Sequence, residues 1–234
     1  MGRSSLVALT SLLFVQAGML HGQDPKEILD QAAAKYIELK TYDFEGSRVS
    51  ETKTGKTVAS SEINFVYVLS RPNKVRVELR YPNAGSWVRV TDGTTTVKYL
   101  SETKEYTRAA ATEYDFDMFF QGTPMANYQL INTKIQNATL VGSEPVTVGS
   151  DTFDCYVLDV LYGQQTLLPG TEPLPTRLWI DKKRSIVLKE VSGTRAKGQG
   201  RSQPTDNIRT TTFTVAKVDE PIPEELFTFT PKGK

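Results

Sequence analysis

Histidine and cysteine are nearly absent: the 234 residues hold one of each, His21 and Cys155. A single cysteine excludes an intramolecular disulfide and any cysteine-rich metal centre. An excess of charge of either sign is missing too. Lys+Arg total 28 and Asp+Glu 27, and a net +1 supplies no bulk attraction to nucleic acid or to an anionic membrane. Beyond residue 20 no run approaches the roughly 18–20 apolar residues of a membrane-spanning helix. What is present is ordinary for a folded chain, with 38% hydrophobic and 24% charged residues, and the length suits one domain or two small ones.

Residues 1–23 read as a secretory signal peptide. Arg3 provides the positive start, and residues 6–20 form an apolar stretch interrupted by Thr10, Ser11 and Gln16, too short to serve as an anchor. Cleavage near Gly22 or Gln23 removes the lone histidine. The mature chain then lacks imidazole, which excludes Ser-His-Asp and Cys-His catalysis, His-ligated metals and His-based pH switching. Loss of Arg3 leaves 27 charges of each sign. No cysteine follows the apolar stretch, so a bacterial lipid anchor is excluded there. The expectation is an exported protein whose residues 24–234 form a single domain.

The mature chain opens with a helix over residues 25–40. Asp24 is placed to cap it, Pro25 suits its first position, and Glu27 completes a capping box. Ile28, Leu29, Ala32, Ala33, Tyr36 and Ile37 recur at helical spacing and form its apolar stripe. Antiparallel strands follow at 44–51, 58–69, 74–81, 87–90, 94–100 and 105–108. The alternation is strict in 74–81, with Val75, Val77, Leu79 and Tyr81 on one side and Arg76, Glu78 and Arg80 on the other. Asp92-Gly93 marks a hairpin. Residues 109–130 are rich in aromatics but broken by Gly122 and Pro124, which predicts one or two short helical turns. Strands resume at 138–141, 145–148, 153–162, 177–181, 186–191 and 208–218, with loops at 163–176 and 192–207. The fold class is mainly β (α+β): a curled antiparallel sheet of roughly 10–11 strands, forming a half-open barrel covered by the first helix and the central helical segment.

Ser70-Arg71-Pro72-Asn73-Lys74-Val75-Arg76-Val77-Glu78, Val90-Thr91-Asp92-Gly93-Thr94 and Val97-Lys98-Tyr99, in that order, resemble the first half of the LolA superfamily of periplasmic lipoprotein carriers. Leu178-Trp179-Ile180-Asp181 is similar to that family's strand before a basic turn, and Leu226-Phe227-Thr228-Phe229-Thr230-Pro231 to its C-terminal ending. The resemblance spans nearly the whole mature chain. It implies a periplasmic, non-enzymatic carrier that binds acyl chains of lipid or lipoprotein in an apolar cavity for outer-membrane lipoprotein sorting. The missing lipobox cysteine disfavours the family's lipid-anchored receptor branch. Its envelope-stress sensor branch, which binds a partner protein, and a structural lipid-handling domain with a filled cavity are the alternatives.

Each methylene moved from water into an apolar hollow gains about 0.8 kcal/mol, so such a site needs only apolar walls and a movable cover. The candidate walls are Phe65 and Tyr67, then Val75, Val77 and Leu79, then Phe116, Phe119, Phe120 and Met125 in the central segment. For each, plain core is the competing reading. By the resemblance, Arg71 holds the cover shut. Lys182, Lys183 and Arg184, with Arg195, Lys197 and Arg201, form a candidate basic surface for lipid headgroups or an acidic partner, against the simpler reading of solvated turns. The neighbouring carboxylates Asp115 and Asp117, and Glu224 and Glu225, do not have the separated placement of a catalytic pair. No cofactor or metal is expected, nucleic acid is not a partner, and the protein is expected to be a monomer served by inner- and outer-membrane partner proteins.

Overall fold

The computed structural model describes residues 23–163, 167–198 and 203–231; the stretch 1–22, within the expected signal peptide, and Arg201 lie outside them. Helix α1 (Pro25–Glu38) begins where Asp24 accepts a hydrogen bond from the Lys26 amide at 3.0 Å, and Pro25 occupies its first turn. It buries Ile28, Leu29, Ala32, Ala33 and Tyr36, whereas Ile37, expected on the same stripe, is 59% exposed. The stripe is narrower than the sequence implies because only one side of α1 meets the sheet.

The strands are β1 (Thr41–Thr54), β2 (Thr57–Ser70), β3 (Lys74–Tyr81), β4 (Gly85–Thr91), β5 (Thr95–Leu100), β6 (Glu105–Ala110), β7 (Ile135–Val148), β8 (Asp151–Tyr162), β9 (Thr171–Pro173), β10 (Thr176–Asp181), β11 (Val187–Ala196) and β12 (Thr205–Val218). All belong to one sheet in the order β6-β5-β4-β3-β2-β1-β12-β11-β10-β8-β7, with β9 paired to β11, and every pairing is antiparallel. The sheet is not closed on itself: β6 and β7 stand at its two ends. The first six strands form one meander, and β1 joins it to the second through β12, with Tyr42 opposite Val218. Opposite Glu45 and Gly46 the register shifts by one residue, Thr214, a bulge that bends β12 at the joint.

The sheet has 12 strands where 10–11 were expected, and its strand boundaries depart from the expectation in three segments. Residues 138–141 and 145–148 are not separate strands but parts of β7, which continues through a register shift between Leu140 and Gly142. The expected loop at 163–176 contains β9, and the one at 192–207 contains the outer ends of β11 and β12.

Helices α2 (Asp115–Gln121) and α3 (Pro124–Tyr128) lie between β6 and β7 in the chain and, with α1, cover the concave face. The opposite face of β2–β5 is covered as well. There Val66, Val68, Val90 and Val97 meet Phe227, from a short 3-10 turn at Glu224–Phe227, and Ile222, Leu226 and Phe229. The doubly apolar run at 65–69 in β2 therefore reflects helices on one side and the C-terminal segment on the other. Outward from Ile63, β2 is exposed, and it forms with the ends of β1, β11 and β12 a polar overhang beyond the helices.

Candidate functional site

The concave face gathers the nine apolar candidates. Phe65 and Tyr67 stack at 4.7 Å on β2. Val75 and Val77 of β3 pair beside them, with Val77 opposite Tyr67 and Leu79 opposite Phe65. From above come Phe116, Phe119 and Phe120 of α2 and Met125 of α3. All are buried except Leu79, which is partly buried, and they form one cluster with Ile28 and Leu29 of α1 and Phe213 of β12. In this state the side chains of sheet and helices fill the interior between them.

Arg71 ties this cover at its margin. Its Nε donates to the Leu39 carbonyl at the end of α1 at 3.0 Å. Its guanidinium carbon lies 5.8 Å from the Phe116 ring and 5.5 Å from the Phe120 ring, two rings that stack nearly parallel along α2. One side chain thus touches the end of one helix and the aromatic face of another. Arg89 and Lys98, paired across β4 and β5, lie 5.6 and 5.8 Å from the Phe119 ring.

The basic residues are not brought together. Lys182, Lys183 and Arg184 occupy the turn before β11, while Arg195 and Lys197 lie at its far end, roughly 25–30 Å away at about 3.3 Å per residue. Four of the five are paired with carboxylates: Lys182 with Asp154, Arg184 with Asp181, Arg195 with Asp206 and Lys197 with Glu172. The surface they were expected to share is two separate, largely neutralised patches.

Two clefts open on the concave side next to α3. One, of about 350 Å³, is bordered by Tyr128, Leu130, Ile131, Tyr162, Leu178 and Glu190. The other, of about 620 Å³, lies over the overhang between Ser50, Thr52, Ser192, Thr194, Asn207 and Arg209. Asn127 and Thr176 border both. Glu190 accepts a hydrogen bond from the Tyr128 hydroxyl at 2.8 Å, and burial together with the nearby Glu190 charge holds the Tyr128 phenol well above its ordinary range. Arg48 of β1 has the same orientation as Phe44, and its Nε is buried without a hydrogen-bond partner. None of Arg48, Glu190 and Arg209 stands out in the sequence, because strand register, not spacing, assembles them.

The remaining reactive groups have structural places. Asp115 accepts from the Thr96 hydroxyl and the Thr112 amide; its burial works to raise its pKa, but these bonds prevail and lower it. Asp117 is exposed, and Glu224 pairs with Lys74. Burial, reinforced by Asp181 and Asp154, pushes the Cys155 thiol up to about 12, a range in which it is not nucleophilic at neutral pH. Among the described residues, no group of three or more His, Cys, Asp or Glu side chains is placed to hold a metal, and no helix is long and apolar enough to cross a membrane.

No family model matches the chain, and no curated protein matches it. Among solved structures it is similar to the MucA/MucB complex of Pseudomonas aeruginosa, at 14% identity and a TM-score of 0.43, over 89% of this chain and 62% of that one. It therefore spans less than two-thirds of that relative. It is also similar to a LolA superfamily protein from Nitrosomonas europaea, at 12% identity and a TM-score of 0.32, covering 88% of this chain and 97% of the other. A third is the lipoprotein LppX of Mycobacterium tuberculosis, at 10% identity and a TM-score of 0.42, with 86% and 99% covered.

Proposed function

We propose that this protein is a non-enzymatic carrier of acyl chains from lipid or lipoprotein, exported to the periplasm as a single domain, with the concave core as its tail site and the helical layer as its cover. The observation that carries the reading is how the cover is held. α2 has seven residues and α3 five, too few to be stable as isolated helices, so packing on the sheet keeps them in place. Their aromatic residues belong to the same buried cluster as Phe65, Tyr67, Val75 and Val77. An apolar tail replaces those contacts with equivalent ones, and the exchange is close to balanced because both states bury hydrocarbon. Arg71 is one polar restraint on that exchange, beside the bonds of Asp115 to Thr96 and of Tyr128 to Glu190. Release at its margin requires that its bond to Leu39 and its contacts with Phe116 and Phe120 give way.

Titration with a long-chain fluorescent fatty acid tests this. Saturable binding of one tail per chain is expected. The Arg71→Gln variant should take it up about three- to tenfold faster, the effect of losing roughly 1 kcal/mol of restraint. The filled interior favours a second reading, a lipid-handling domain whose core never opens, and absence of saturable binding in both proteins selects it.

A further inference from the structure

We infer that the polar cleft over the overhang is a headgroup site, and that the headgroup it takes is anionic and hydroxyl-bearing, of the phosphoglycerol class. This rests on the carrier reading and extends it from the tail to the whole amphiphile.

The first support is position. The cleft shares Asn127 and Thr176 with its neighbour, which reaches Tyr128 and Leu178 of the buried cluster. A polar hollow thus adjoins the apolar core on one face, as a molecule with a greasy tail and a wet head requires.

The second is an asymmetry in how arginines are partnered. On the convex face each strand arginine that points outward beside a carboxylate is paired: Arg76 and Arg80 with Glu78, Arg177 with Asp159, Arg195 with Asp206. On the concave face Arg48, Arg89 and Arg209 form no ion pair among the described residues. Arg48 lies opposite Thr211, and Arg209 lies opposite Ser50, so the two are diagonal neighbours about 7–8 Å apart along adjacent strands. Like charges at that spacing repel. Of the two, Arg209 borders the cleft, whereas Arg48 does not and its Nε is buried without an acceptor. An anion seated beside Arg209 relieves the repulsion. Of the nearby carboxylates, Glu190 is engaged by Tyr128, and Glu51, which borders the cleft, stands on the alternate side of β1 from Arg48 and Ser50.

The third is the lining. Ser50, Thr52, Ser192, Thr194, Asn127 and Asn207 offer uncharged donors and acceptors, suited to hydroxyl groups rather than to a quaternary ammonium, which needs an aromatic cage.

The test compares binding of short-chain phosphatidylglycerol, short-chain phosphatidylcholine and free glycerol phosphate to the full chain, beside the fluorescent fatty acid. Phosphatidylglycerol should bind about tenfold more tightly than phosphatidylcholine, because both bring a phosphate but the latter also brings a cation beside the two guanidinium groups. Arg209→Gln, at an exposed position, and Arg48→Gln should each weaken phosphatidylglycerol binding and reduce that preference. Equal affinity for the two lipids, or a preference that survives both substitutions, overturns the headgroup site. Glycerol phosphate binding as tightly as the lipid overturns its assignment to a lipid head. Fatty-acid binding with any of these results leaves the carrier reading standing; loss of binding by fatty acid and lipids alike removes both.

Discussion

Glu78 shows how a single side chain organises its surroundings. It is 7% exposed on the convex side of β3 and receives Arg76 at 2.5 Å and Arg80 at 2.7 Å. Thus fixed, Arg76 donates to the Leu226 and Thr228 carbonyls and lies 5.7 Å from the Phe229 ring, which fastens the C-terminal segment. Burial by itself raises the pKa of Glu78, but the two guanidinium groups outweigh it and lower the carboxyl below 4.5. A carboxyl depressed on folding adds stability that is complete above its unfolded value and is lost as pH falls through its folded value. Glu78→Gln should therefore reduce stability by about 2 kcal/mol near neutral pH. In denaturant melts, that gap should narrow once pH drops below 4.5. A gap of constant size would show that the charge is not what matters there.

At the scale of elements, the joint between β1 and β12 depends on Gly46. A β-carbon there would sit 2.0 Å from the Thr212 carbonyl oxygen and 2.9 Å from the Phe65 ring, on backbone that cannot give way without shifting the bulge. Gly46→Ala should lower stability by about 2–3 kcal/mol in thermal or urea melts, the usual effect of overpacking a tight site; an unchanged melt would mean that the joint is loose. The same scale shows what the sequence displayed. β3 was readable to its ends, because one of its faces alternates Val75, Val77 and Leu79 against arginines. The outer ends of β11 and β12 were not, because in the overhang Ser, Thr and Asn stand on one side and the Arg195–Asp206 pair on the other, without an apolar period. The nine apolar wall residues were legible as types suited to a core, and Arg71 as a residue that ends a strand. Arg48 and Arg209 were not: they are 161 positions apart in the chain, and only strand pairing makes them neighbours.

For the whole molecule, topology sets the pace of folding. The central joint pairs residues near 42–54 with residues near 205–218, and α2 and α3 of the helical cover come from the chain between the two meanders. Such distant contacts must close long loops before they are rewarded. Refolding followed by the fluorescence of Trp87 and Trp179 should therefore take milliseconds to seconds. Completion within microseconds would show that the two meanders fold without waiting for their joint.

β12 stands between β1 and β11 and is the keystone of the arch. Were it to come away, the sheet would divide into two wings along a raw seam, each wing showing a bare strand edge ready to pair with another chain.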